Sequence, residues 1–357
     1  MNKTLMIGMS AVAAGALLAS GNPATAQGPE PKHTFTRFLP SDFAGDDQVT
    51  LTKALGPDDV WMFVTVYEDR VPRVLGRHWD GTKWNEVVLP EGVGFVNGIA
   101  GGAADLWMVG VGSENTTTSD NLVLHFDGRT WEIVKRIPRF DHAPDGLAVL
   151  RDGSVRFFVA TNKVTTVWRY DRGTWTSTTA AKRRIAASTL PNGTIWAVTR
   201  PGIRPGHFDG RTWTTVKAPS RALLGCTKTD PCDGVDAEDL VALSPDTVVM
   251  SVSVRRKNGG QRFSVVRWNG KKWSVLYRTG ADSVASLTPD GKGGFWAVRD
   301  KPHTDVAQHY TKAGKLVSYG FDLPRKWLSY DLTVGPGGGV IAYGSNFRKA
   351  MAWKLAK

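Results

Sequence analysis

One short hairpin is written five times into this chain: HWDGTKW ending at Trp84, HFDGRTW at Trp131, RYDRGTW at Trp175, HFDGRTW at Trp213 and RWNGKKW at Trp273. A degenerate copy, HYTKAGKL, ends at Leu316. Asp-Gly or Asn-Gly between two aromatic-bearing extended runs marks a tight β-hairpin, because these residues accept the positive φ that such turns require. Repetition constrains the fold strongly, since each unit can bury its apolar face only against its neighbours.

A second signature, a turn followed by an apolar strand, lies upstream of each hairpin. Its copies are PDDVWMFV, AADLWMVG, DGSVRFFV, NGTIWAVT, PDTVVMSV, GGFWAV and GGVIAYG, anchored at Trp61, Trp107, Phe157, Trp196, Val249, Trp296 and Ile341. The anchors are spaced by 46, 50, 39, 53, 47 and 45 residues. A further extended run, such as VTLTKAL, DGLAVLR, DLVALS or DSVASLT, comes before the anchor. Each unit therefore reads as strand a, turn, strand b, loop, strand c, Asp-Gly turn, strand d, which is the make-up of a propeller blade.

Seven anchors predict an all-β fold, a seven-bladed β-propeller with four strands per blade. The last unit reaches strand c at Met351–Trp353 and lacks strand d. Its match is Thr34–Pro40, where Phe35 takes the place that Trp84 holds in the d-strand pattern running to Pro90. An N-terminal strand at about residues 33–40 is expected to pair into the last blade and close the ring, leaving no exposed edge there.

Residues 1–26 lie outside the pattern. Lys3, an apolar run from Leu5 to Ala19, and Ala24-Thr25-Ala26 before Gln27 read as a signal peptide and its cleavage site. No later stretch approaches the ~18 apolar residues of a membrane-spanning helix. The expectation is a secreted, extracellular protein, one propeller domain over residues 27–357, with no transmembrane segment once processed. Export bears on the two cysteines, Cys226 and Cys232, which bracket TKTDP. In an oxidising compartment they are expected to pair, closing a small ring worth about 2 kcal/mol in the loop-entropy view. A zinc site would need more ligands nearby than the sequence offers.

Over residues 33–357 the chain resembles the secreted bacterial β-propellers of the broad kelch, Asp-box and lyase-type superfamily. The likeness is architectural. The hairpin D-G-x-x-W is similar to an Asp-box, but an Asp-box has one more residue between Asp and Gly and a leading Ser or Thr. NGTIWAV and GGFWAV look like strands of streptogramin-lyase-type propellers, which lack the Asp-Gly hairpin. No catalytic residues carry over from either.

The repeat sorts residues into scaffold and remainder. Of 14 tryptophans, all but Trp327 fall at repeated or same-face packing positions, where they wedge blades together. His78, His125, His207 and His309 hold one repeated position before the hairpin aromatic, which points to a shared structural role. His33 lies in the closing strand, leaving His142 and His303. Asp47, Asn97, Asp145, Asp239, Asp282 and Asp331 each stand where an a strand begins, at the mouth of the central channel. They are read first as acceptors for backbone N–H groups and only second as groups converging on a cation.

The resemblance implies that b–c loops and d-to-a connections share one face, often the ligand face. On it fall Arg183, Arg184, Arg255, Arg256, Arg325, Lys326, Trp327, His142 and His303, with Asp145 at the channel mouth. The opposite a–b turns carry Asp58, Asp59, Asp105, Asp152, Asp246 and Asp290. With a net charge of +12, a cationic loop face would attract anionic partners, although acids such as Glu68 and Asp69 share that side.

The leading expectation is a non-enzymatic propeller that binds an extracellular ligand through this face: an anionic glycan or wall polymer, or a protein. No cofactor and no metal are expected, and the chain is read as a monomer. The alternative is a lyase or hydrolase acting on a polyanionic or lactone-like substrate at the channel mouth, with His142, Asp145 and His303 as acid/base candidates. Nucleic acid ranks third, since the basic loops lack aromatic interleaving.

Overall fold

The computed structural model describes residues 35–41, 43, 48–113, 120–138, 144–160, 164–181, 186–199, 203–257, 259–280, 282–300, 306–320, 329–346 and 349–355. Residues 1–26, which the sequence reads as a signal peptide, and Asp47, His142, Arg183, Arg184, His303, Arg325, Lys326 and Trp327 lie outside the described residues.

The strands in chain order are β1 (Phe35–Arg37), β2 (Gln48–Gly56), β3 (Asp59–Glu68), β4 (Val71–Trp79), β5 (Trp84–Val87), β6 (Val93–Gly102) and β7 (Asp105–Gly112). Next come β8 (Asn121–Phe126), β9 (Trp131–Ile137), β10 (Asp145–Val149), β11 (Val155–Ala160), β12 (Val164–Asp171), β13 (Thr174–Ala181) and β14 (Ala186–Thr189). They continue with β15 (Ile195–Thr199), β16 (Arg204–Phe208), β17 (Trp213–Thr215), β18 (Cys232–Ser244), β19 (Thr247–Arg256), β20 (Gln261–Trp268) and β21 (Trp273–Thr279). The last are β22 (Ser283–Pro289), β23 (Phe295–Asp300), β24 (Val306–Tyr310), β25 (Leu316–Gly320), β26 (Ser329–Val334), β27 (Val340–Asn346) and β28 (Lys349–Leu355).

These strands form seven antiparallel four-stranded sheets. Six run in sequence order from β2–β5 to β22–β25, and the seventh is β26-β27-β28-β1. The seven-bladed propeller is thus the fold, closed as the repeat requires. Phe35 pairs with Leu355 and Arg37 with Trp353, and the Phe38 amide bonds the Ala352 carbonyl at 2.8 Å. Phe35 is buried with Trp296, Leu332 and Trp353. Phe38 then reaches blade 1, 4.9 Å from Trp84 and 5.5 Å from Trp79 between ring centres.

The hairpin motif does its work through one side-chain oxygen. Asp80 Oδ1 accepts the amides of Thr82 and Lys83, both at 2.9 Å. Asp127, Asp209 and Asn269 repeat the pattern, and the Gly that follows takes positive φ (96° at Gly81). The Thr82 hydroxyl, the Lys83 amide and Asn85 hold the Asp80 carboxyl well below its ordinary value.

The repeated histidines are structural. His78 stacks on Trp61 at 4.3 Å, His125 on Trp107 at 4.3 Å, His309 on Trp296 at 4.4 Å and His207 on Trp196 at 5.1 Å. Three also bond the acid of the a–b turn: Asp59, Asp105 and Asp290. In blades 1 and 2 that same carboxylate takes the indole N–H of Trp61 or Trp107. Two polar atoms left over by a tryptophan anchor and its histidine are thus satisfied by one aspartate. Burial would raise the Asp290 carboxyl, but His309 and the amides of Lys292 and Gly294 hold it below its ordinary value.

Several boundaries differ from the sequence reading. Inner strands β6 and β18 begin at Val93 and Cys232, so Asn97 and Asp239 lie inside them, at breaks in register. Strand β5 stops at Val87 rather than running on to Pro90. There Pro90-Glu91-Gly92 turns with Gly92 at φ 83°, and the Ser113 amide bonds the Gly92 carbonyl at 2.9 Å. That draws the chain off blade 1 toward blade 2.

Candidate functional site

Blade 5 stands out on the face made by b–c loops and d-to-a connections. Its inner strand β18 has 13 residues, whereas the neighbouring β14 has only 4. Cys232 pairs with Arg256 and Gly234 with Arg255 in the extension of β18 along β19. Residues 216–231, between β17 and β18, lie against this raised hairpin. They form a helical turn in which Leu224 N bonds Ser220 O and Cys226 N bonds Arg221 O, at 3.1 and 2.9 Å. The Ser220 hydroxyl caps it by accepting the Leu223 amide at 3.1 Å.

Several tethers fix this turn. Leu224 is buried in the core cluster that holds Trp196, Ile203 and Trp273. The Trp273 indole donates to the Lys217 carbonyl at 2.6 Å. Cys226 and Cys232 form the expected disulfide, with Cα atoms 5.5 Å apart. The Lys257 amide bonds the Pro231 carbonyl at 3.2 Å, and Arg256 pairs with Asp230.

The arginines divide in two. Arg255 and Arg256 each face a carboxylate, Asp236 and Asp230, so Arg256 serves as a strut between β19 and the disulfide loop. Arg221 and Arg278 are exposed and have no carboxylate partner among the described residues. Arg278 instead donates to the Leu223 carbonyl at 2.6 Å and Arg221 to the Cys232 carbonyl at 3.4 Å. Carbonyl anchoring orients a guanidinium without neutralising it, leaving the remaining donors of its fork for an anion. Sequence position already puts Arg221 in a d-to-a connection of the loop face, whereas Arg278, inside β21, was missed. Arg221 stands five residues before Cys226, but nothing in the sequence ties Arg278 to the cysteine pair.

The channel carboxylates have a different role. A bulge in β22 between Ala285 and Leu287 turns Ser286 to φ 51° and frees the Leu287 amide. Asp239, one blade back, accepts that amide at 2.5 Å and its own neighbour Leu240 N at 2.6 Å. Ser286 in turn donates to Asp331 of blade 7. Asp331 also takes the Leu332 amide at 2.7 Å and the Tyr343 hydroxyl at 2.9 Å. Thr288 to Leu332 O, Ala54 N to Thr333, and Thr189 to Gly146 O add further bonds between the inner strands of adjacent blades. Asp282 pairs with Arg299 at 2.6 Å, Asn97 is exposed in β6, and Asp145 opens β10. The reading of these acids as backbone acceptors therefore holds for Asp239 and Asp331. Among the described residues no three His, Cys, Asp or Glu side chains gather as a metal centre would require.

Burial inside the ring pushes the Asp331 carboxyl up, against the hydrogen bonds from Ser286, Leu332 and Tyr343. Burial and the adjacent Asp331 charge push the Tyr343 hydroxyl up, so it remains a donor. A carboxyl raised by folding favours the native state below its unfolded value and withdraws that support as pH rises through its folded value. Solvent in the channel reaches Asp331 and moderates the effect. Asp331→Asn keeps an acceptor for Leu332 and Ser286. Its melting temperature at pH 7 should equal or exceed that of the parent by up to a few degrees, with the margin gone near pH 4. A loss at pH 7 that fades near pH 4 would show instead that the ionised group is required.

No protein-family model matches the chain, and no curated protein matches it either. Solved structures do. A structure of YCF48 bound to D1 peptide is 16% identical, with TM-score 0.58 over 90% of this chain and 95% of that one. YCF48 from Cyanidioschyzon merolae is 11% identical, with TM-score 0.56 over 89% and 98%. A PL25 ulvan lyase bound to -[GlcA(1-4)Rha3S]- is 10% identical, with TM-score 0.56 over 88% and 95%. At such identities the likeness extends to the propeller fold alone.

Proposed function

We propose that this chain is a secreted, non-enzymatic propeller that holds an extracellular anionic ligand, a glycan or wall polymer or an acidic protein segment, on its loop face. The observation that carries this reading is the tethered turn at residues 216–231. Arg221 and Arg278 are there fixed through main-chain carbonyls and left without carboxylates among the described residues. A site ordered before binding loses little conformational freedom when the ligand arrives. The nearest catalytic alternative, a lyase or hydrolase, would draw on the channel carboxylates, and Asp239 and Asp331 are already engaged by neighbouring blades. Among similar folds, one solved complex holds a peptide and another an acidic saccharide, so both ligand classes are reasonable probes.

The test is chromatography of the processed protein on immobilised polygalacturonate. Retention should weaken with rising salt. The Arg221→Ala/Arg278→Ala pair should bind at least about tenfold more weakly, as loss of charge-assisted hydrogen bonds predicts, with an unchanged melting temperature. Polymer recovered at its original length fits a binder. Shortened or unsaturated products would overturn the non-enzymatic reading, and salt-indifferent retention would overturn the electrostatic one.

A further inference from the structure

Blade 1 has a gap in its outer edge. Strand β4 spans 9 residues, but β5 pairs only with Gly76–Trp79. Val71–Leu75 therefore carry β3 on one side and, among the described residues, no strand on the other. The connection at Val88–Gly92 peels away instead of continuing the ladder, and the space between holds a cavity of about 630 Å³. That lies within the ~300–1,000 Å³ of ordinary binding clefts.

The polarity of this edge follows from the hairpin. The Asp80 amide bonds the Lys83 carbonyl, and antiparallel bonding alternates along a strand. Counting back through the register, the N–H and C=O of Val74 and the C=O of Pro72 face the gap. No backbone bond joins Val74 to Leu89 among the described residues. Pro72 withholds a donor, as edge prolines do, so the gap accepts a short strand rather than a long one.

Side chains around the gap make it sticky and acidic. Val88, Tyr67 and Val71 are 78%, 53% and 50% exposed, three of the four large apolar side chains that are exposed among the described residues. Glu86, Glu91, Asp69 and Arg77 line the cavity and Glu68 pairs with Arg73 at 3.0 Å, so four acids face two arginines. In a chain of net charge +12 this is an acidic spot. A second copy presenting the same edge would bring like charges together, whereas a basic strand would complement them.

We propose that this gap is a docking slot for an extended peptide that alternates apolar and basic residues and adds a short fourth-strand segment to β4. The slot is independent of the loop-face turn of blade 5 and of whether that turn binds anions.

The probe is a fluorescein-labelled decapeptide of alternating valine and lysine, titrated by anisotropy against the full chain. Binding should weaken with salt, exceed that of the valine–glutamate counterpart by tenfold or more, and slow hydrogen exchange at the Val74 amide. Methylating alternate backbone nitrogens of the peptide should abolish it. Val71→Lys/Val88→Lys changes two exposed side chains, so folding should survive while affinity drops at least tenfold. Equal binding of both peptides, binding that survives N-methylation, or unchanged Val74 exchange would each overturn the proposal. So would a dimer in sedimentation that Val71→Lys dissociates, since the edge would then serve a second copy.

Discussion

Deleting residues 1–41 should leave a chain that no longer unfolds as one cooperative monomer. The deletion removes β1 and exposes the length of β28, and it takes Phe35 out of the cluster around Trp296 and Trp353. It also takes Phe38 off Trp79 and Trp84, so the junction between blades 7 and 1 opens. Removing a buried phenylalanine costs about 3–5 kcal/mol. Phe35, the half-buried Phe38 and the lost strand bonds together approach the ~5–15 kcal/mol that keeps a whole domain folded. The measurement is thermal unfolding with sedimentation, and Phe35→Ala in the full chain provides a graded version. Adding a synthetic peptide of residues 34–43 should restore the sharp transition. A truncated chain that stays monomeric and melts sharply without the peptide would refute the closing role.

Gly110→Ala should be nearly as damaging, although it adds one carbon. Gly110 sits in β7 opposite Val96, and a Cβ there would lie 2.1 Å from the Phe95 carbonyl oxygen. The three nearest atoms all belong to the Phe95–Val96 backbone, which leaves nothing flexible to yield. The expected loss is about 3 kcal/mol or more, at the upper end for overpacking. Gly102→Ala in the same blade is the control, with nothing within 4 Å of its added carbon, and should shift the melting temperature little. Similar losses for the two would mean that β-strand propensity, not the Phe95 contact, sets the cost.

The blade count, strand order and closing strand were all legible because each unit repeats two local signals, a turn and an aromatic at fixed distance. The shared histidine position was legible for the same reason, and its partners Trp61 and Asp59 could be named only once the strands were in register. What stayed hidden breaks the repeat. The extended β18–β19 hairpin has no counterpart in other blades, so its length could not be inferred from them. Arg221 and Arg278 are 57 residues apart in the chain, and they share one site only because Arg278 of β21 bonds the turn that follows Arg221. The gap in blade 1 was masked by an apolar run, Val87-Val88-Leu89, that reads as strand but turns away at Pro90. Repetition predicts where blades agree, and the distinctive surfaces lie where they do not.

The bonds that link inner strands, from Asp239 to Leu287, Ser286 to Asp331 and Thr333 to Ala54, act mechanically as a hoop. Widening the channel would have to stretch several of them at once, because each belongs to a different junction of the ring. Along the arc from blade 5 through blade 7 to blade 1 the spacing is therefore set at folding, and a ligand on that part of the rim meets a platform that resists dilation. Free-to-bound displacement should accordingly be confined to the connections above the hoop, so two rim sites would communicate through those segments and not by breathing of the ring.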